Sequence, residues 1–167
     1  MRTEPIQTRH VLFLCTGNSA RSILAEGILN ALGQHRFRAY SAGSHPKGAV
    51  HPLALATLEQ LGFPATGYRS KSWDEFAASG APVFDFIFTV CDAAAGETCP
   101  VWPGKPISAH WGMPDPAAVT GPEEQRRQAF MDAAQTLRRR IERFLALPFD
   151  RLDAAALQHA LREIGQT

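Results

Sequence analysis

Residues 10–33 read HVLFLCTGNSARSILAEGILNALG, and this stretch decides the fold. His10 to Leu14 is a short continuous apolar run, the pattern of a strand buried on both faces of a parallel sheet. It runs directly into CTGNSARS. Ile23, Leu24, Gly27, Ile28, Ala31 and Leu32 then recur at helical spacing until Gly33 stops them. Strand, glycine-containing loop and helix follow one another within the first 33 residues.

Working outward, the alternation continues. Phe37 to Ser41 reads as a second strand that ends in the turn-like AGSHPKG. Pro52 suits the first turn of a second helix, with Leu55, Leu58 and Leu61 on its stripe and Gly62 as a stop. SWDEFAA predicts one short helix. Phe84 to Val90, FDFIFTV, carries the strongest strand signal, and Ile107 to His110 predicts a fourth strand. Thr120-Gly-Pro-Glu123 has the pattern of a capping box before a long stripe of Phe130, Ala134, Leu137, Ile141, Phe144 and Leu145. Pro148 ends that stripe, and Asp150 is expected to cap a last helix with Leu152, Leu157, Leu161 and Ile164. Strands alternating with helices imply an α/β fold, a parallel sheet covered on both faces. Residues 1–9 are expected to be an N-terminal extension and 10–167 a single domain. Ligands of such sheets bind beyond the carboxyl ends of the strands, where the loops after residues 14, 90 and 110 gather.

The chain has 167 residues with 45% hydrophobic and 20% charged residues, a globular composition. A formal charge of +1 removes the general electrostatic argument for nucleic acid. No apolar stretch approaches the ~20 residues of a membrane span, so a soluble, cytoplasmic protein is expected. Three cysteines suit chemistry better than a disulfide framework. The six histidines show no ligand spacing, so no metal site is expected. Arg138-Arg139-Arg140 reads as a solvated helix face. Oligomeric state is not written in the sequence, and a monomer is the expectation.

The chemistry concentrates in Cys15 to Ser22. Thr16, Gly17, Asn18, Ser19 and Ala20 are short, and Gly17 and Asn18 tolerate left-handed backbone angles. A compact loop opening a helix directs its N–H groups inward and places the helix dipole behind them, which makes an anion cradle. Arg21 adds a planar fork matched to two oxygens of a tetrahedral oxyanion. The same field is expected to lower the Cys15 thiol into the nucleophilic range, with the Ser22 hydroxyl on its sulfur. Attack on an oxyanion expels oxygen, which needs a proton. Asp115 in HWGMPDPAA, stiffened by Pro114 and Pro116, lies on the correct rim to supply it.

VLFLCTGNSARS together with SAGSHP, TVCDAAAGETCPVWPG and HWGMPDPA resembles the low-molecular-weight tyrosine phosphatase superfamily, and within it the cysteine-relay arsenate reductases. The resemblance runs from His10 to about Gly165. It implies a flavodoxin-like three-layer fold with four parallel strands in order 2-1-3-4. It implies further that Cys15 attacks arsenate held by the loop and Arg21 while Asp115 protonates the departing oxygen. Cys91 would then attack Cys15 and release arsenite, and Cys99 would carry the disulfide to Cys91–Cys99. No bound cofactor is implied, only an external thiol reductant: thioredoxin, or glutaredoxin with glutathione. If residues 91–99 were continuous helix, the two Cα atoms would lie about 12 Å apart. A disulfide tolerates about 7 Å, so the segment has to loop or unwind.

A low-molecular-weight protein tyrosine phosphatase is the main alternative, because Cys15, Arg21, Ser22 and Asp115 serve phosphate equally well. Against it, Ala117 and Ala118 stand where the phosphatases carry aromatic residues, and a phosphatase has no use for Cys91 and Cys99. In relatives that respond to potassium, the ion is held by groups matching Asn18, Glu26 and Ser41 plus an aspartate. Lys71 aligns with that aspartate, so its ammonium is expected to replace the ion and pair with Glu26.

Overall fold

The computed structural model describes residues 8–78, 80–91 and 104–167. Four strands, β1 (Arg9–Cys15), β2 (Phe37–Gly43), β3 (Phe86–Thr89) and β4 (Ile107–His110), form one parallel sheet in the order β2-β1-β3-β4. This is the expected flavodoxin-like arrangement. Central β1 is apolar from Val11 to Cys15 because both of its faces are covered there. Val11, Phe13 and Cys15 point into the larger core, whereas Leu12 and Leu14 point into the smaller one.

The larger core packs α1 (Arg21–Gly33) and α4 (Glu123–Leu145) on the sheet, with α2 (Pro52–Gln60) against α1 and α4, and α5 (Ala154–Ile164) against β4. Short α3 (Asp74–Ala77) brings Trp73 and Phe76 onto the other face with Phe84 and Ile87. Trp111 is fully buried and stacks on Phe88 at 3.9 Å between ring centroids. Its indole N–H donates to Leu161 O, which ties α5 to the segment after β4.

Several local expectations need correction. No capping box forms at residue 120. Gly121 turns the chain at φ +117°, Pro122 is extended, and α4 starts at Glu123 without a side-chain cap. The last helix is capped by Asp153, whose carboxylate accepts from Ala156 N, while Asp150 and Leu152 precede it. The strand expected over 84–90 is shorter, Phe86–Thr89, with Asp85 N and Val90 N adding one bond each to β1 at its ends. Arg140 is 5% exposed, so the triple-arginine run is not a uniformly solvated face.

Strand register positions the site. Cys15 pairs with Gly43, Leu14 with Thr89, and Thr89 with His110, so all four strands end at one rim. No helix among the described residues is long and apolar enough to cross a membrane.

Candidate active site

The loop from Thr16 to Ala20 joins β1 to α1, and its shape comes from where its carbonyls go. Thr16 O accepts from His45 N, Gly17 O from Lys47 N, and Ser19 O from His51 N, all at 2.9–3.0 Å. Ser70 Oγ adds a second donor to Gly17 O. With these carbonyls turned outward, the peptide N–H groups of the loop other than Thr16 N, which donates to Cys91 Sγ, are left for the cavity. Asn18 takes the left-handed conformation, φ +44°, while Gly17 does not. Helix α1 has no side-chain cap and no acid in its first turn, so its positive dipole end also faces the cavity.

The cavity measures about 160 Å³ and is lined by the loop, Arg21 and Asp115, with His45 and Lys47 at its rim. Organic ligands usually occupy roughly 300–1,000 Å³. The size and the donors suit a small tetrahedral anion. Arg21 Nη1 donates to Met113 O at 3.0 Å, and Nη2 lies 3.7 Å from Asp115 Oδ2. Among the described residues its buried Nε has no hydrogen-bond partner, a leftover donor of the kind that an oxyanion accepts. Asp115 is held in turn by Ala117 N, which donates to Oδ1 at 3.0 Å as the 3-10 turn Pro116–Ala118 begins.

Two buried sulfurs meet at this loop. Cys91 follows β3 on the neighbouring strand, and Thr16 N donates to its Sγ at 3.3 Å, with Thr16 Oγ1 at 3.5 Å. The Cys15 thiol is not lowered as the loop field alone suggests. Its hydrogen bond with Cys91 and its burial raise it, outweighing the opposing pull of Arg21 and the Gly17 N–H. Each thiol therefore faces the other before an anion arrives. Cys99 lies outside the described residues. Among the described residues, no group of His, Cys, Asp or Glu is arranged to hold a metal.

The family model for low molecular weight phosphotyrosine protein phosphatase matches residues 10–159. The chain belongs to that family. An arsenate reductase of Bacillus subtilis is 31% identical over 139 residues, spanning 83% of this chain and 96% of its own. One from Halalkalibacterium halodurans is 33% identical over 134 residues, spanning 80% and 93%. A solved arsenate reductase from Archaeoglobus fulgidus superposes with a TM-score of 0.58 at 27% identity, over 79% of this chain and 98% of its own. A low molecular weight protein tyrosine phosphatase from T. tengcongensis shares the fold, with a TM-score of 0.66 at 23% identity over 86% of this chain and 99% of its own.

In this phosphatase-family fold, some expected site residues brace the loop rather than touch the cavity. Ser22 is fully buried and its Oγ accepts from Asn18 Nδ2 at 2.9 Å; among the described residues it makes no hydrogen bond to Cys15. Asn18 does not line the cavity. Its Nδ2 also reaches Ser41 Oγ, and its Oδ1 accepts from Lys71 N. Ser41 Oγ donates to Glu26, whose carboxyl is raised chiefly by burial and lowered in part by Ser41 and Lys71. The expected direct Lys71–Glu26 pair is not formed. The Lys71 ammonium donates to Arg69 O instead, and Glu26 acts on it only through charge.

Sequence reading missed the residues that shape the loop from outside. Gly43 faces Cys15 across the sheet, and a Cβ there would lie 2.4 Å from Thr16 O and 2.8 Å from Cys15 O. Lys47 lays its stem on Gly17, within 3.2–3.4 Å of where a Cβ would be. His51 caps α2, packs its ring at a tilt against Phe130 and donates its backbone N–H to Ser19 O. SAGSHPKG carried the available signal, since a glycine at a strand end marks close backbone approach.

Proposed function

We propose that this protein is an arsenate reductase that spends its own thiols as the electron source. The observation that carries this reading is Cys91, a second buried thiol held against both the oxyanion loop and Cys15. A phosphate-ester hydrolase has no step for it. The arsenate reductases at 31–33% identity support the same substrate. Ala117 and Ala118 form the turn beside Asp115 and offer no ring to hold a phosphotyrosine.

The chemistry balances without a preformed thiolate. Arsenate sits on the loop N–H groups and the free donor of Arg21. The Cys15 sulfur bonds to arsenic as one hydroxyl departs, and the thiol proton leaves with it as water, handed over by Asp115. The Cys91 sulfur then attacks Cys15. The S–As electron pair stays on arsenic, which leaves as As(III), and the proton of Cys91 goes to an arsenite oxygen. The two thiols have supplied two electrons and become a disulfide. Cys99 would pass that disulfide outward to a dithiol reductant, for which thioredoxin is the best fit and glutaredoxin with glutathione the alternative. The reaction needs only soluble partners of a reducing compartment, so we place it in the cytoplasm.

Thiol titration tests the reading. Arsenate should consume two thiols per molecule of reduced protein and yield one arsenite, whereas phosphate should consume none. Unchanged thiols with release of phosphate from an aryl ester would establish the phosphatase instead. NADPH oxidation with a thioredoxin or a glutaredoxin system then identifies the donor.

A further inference from the structure

Arg140 sits on the apolar stripe of α4, one turn from Leu137 and Phe144, and is 5% exposed. A buried guanidinium normally has a carboxylate beside it. No Asp or Glu side chain lies within ion-pair distance among the described residues, and burial together with Arg139 holds its pKa below the usual arginine range. Its acceptors are main-chain oxygens. Nη1 donates to Trp111 O at 2.8 Å and Gly112 O at 3.3 Å, and Nη2 donates to Thr167 O at 3.1 Å.

Two of these acceptors, Trp111 O and Gly112 O, belong to the loop that leads to Asp115. The next carbonyl, Met113 O, is taken by Arg21 Nη1 from α1. Three successive carbonyls are thus gripped by two guanidinium forks from different helices. Beneath this segment lies a cavity of about 460 Å³ lined by Arg140, Asp115 and the residues between Gly112 and Pro116. The loop has room to move if the grip is released. A methionine or leucine at 140 would cover the same apolar surface, so packing alone does not account for the charge.

We propose that Arg140 is a positioning residue, holding the 111–113 backbone so that Asp115 meets the departing oxygen. The inference rests on the proposed arsenate reduction for its kinetic readout but not for its structural one. Arg140 touches no reacting atom. Its effect is on alignment, and misplacing a proton donor slows the chemical step without weakening the oxyanion cradle.

The experiment compares wild type, Arg140→Met, Arg140→Lys, Asp115→Asn and the Arg140→Met/Asp115→Asn double variant. For Arg140→Met we expect kcat for arsenate to fall about 10-fold with KM within about 2-fold, and Arg140→Lys to recover part of the loss. In the Asp115→Asn background, Arg140→Met should cost nothing further, because both changes remove one contribution. Hydrogen exchange of the amides of 113–119 should accelerate in Arg140→Met while β1 and α1 keep their protection. Multiplying losses in the double variant, a change in KM alone, or unchanged exchange in 113–119 would each overturn the proposal. If Arg140→Met does not fold, Arg140→Lys decides: faster exchange confined to 113–119 supports the proposal, and wild-type exchange overturns it. A wild type that does not reduce arsenate refutes the proposed function, and the exchange experiment still judges Arg140.

Discussion

The Thr16 amide donates to Cys91 Sγ at 3.3 Å across 75 residues of sequence. The first N–H of the oxyanion loop thereby holds the second sulfur next to the first. Under the proposed function, substrate cradle and disulfide partner are parts of one hydrogen-bonded unit.

Replacing Cys91 by alanine should leave the first step intact and block the second. One equivalent of arsenate should accumulate as a Cys15 adduct, visible as added mass on the protein, with no burst of arsenite. A full burst of arsenite from Cys91→Ala would mean that another thiol attacks Cys15.

The Cys15 thiol should titrate above the ordinary thiol range in the ligand-free protein, because its hydrogen bond to Cys91 and its burial favour the neutral form. Iodoacetamide reactivity against pH measures this, and Cys91→Ala should move the midpoint down. The sign for stability follows. The folded state keeps this proton where the unfolded chain has lost it. The contribution is complete below the unfolded thiol pKa and is lost as pH rises above it. Denaturation midpoints should therefore fall on the alkaline side more steeply for wild type than for Cys15→Ala.

Arg21→Lys should lower kcat/KM by at least about 100-fold. Lysine keeps the charge but cannot hold Met113 O, approach Asp115 and leave a donor for the oxyanion at once. Steady-state kinetics check it. A loss under about 5-fold would mean that charge suffices and the fork does not matter.

Gly43→Ala should destabilise the fold by about 1–3 kcal/mol, because the new Cβ meets the carbonyl oxygens of Thr16 and Cys15, which are backbone and cannot turn aside. For a chain of this size that is a fall in Tm of about 2–4 °C per kcal/mol, read by calorimetry. Phosphate, as a competing oxyanion, should also bind more weakly, since the displaced backbone is the cradle itself.

The sequence alone determined the β-loop-α opening, because an apolar run covered on both faces, a glycine-containing turn and a helical stripe are local patterns. It also placed Cys15, Arg21, Asp115 and Cys91 on one rim, because a parallel sheet sends every strand's carboxyl end the same way. Register then put the strand ends at Cys15, Gly43, Thr89 and His110 within one residue of one another. Tertiary structure decided what those residues do to each other. Ser22 and Lys71 turn to Asn18 and Arg69 rather than to Cys15 and Glu26, since buried polar groups take the partners that packing supplies. Gly43 matters through two carbonyls, one at the end of β1 and one in the loop after it, and the Cys15 proton is held by a sulfur 76 positions away. Arg140 reads as surface in a charged run, yet the face it occupies on α4 turns inward beneath the Asp115 loop. Spacing along a chain encodes which face a residue is on; which partner waits at that face depends on contacts between distant segments.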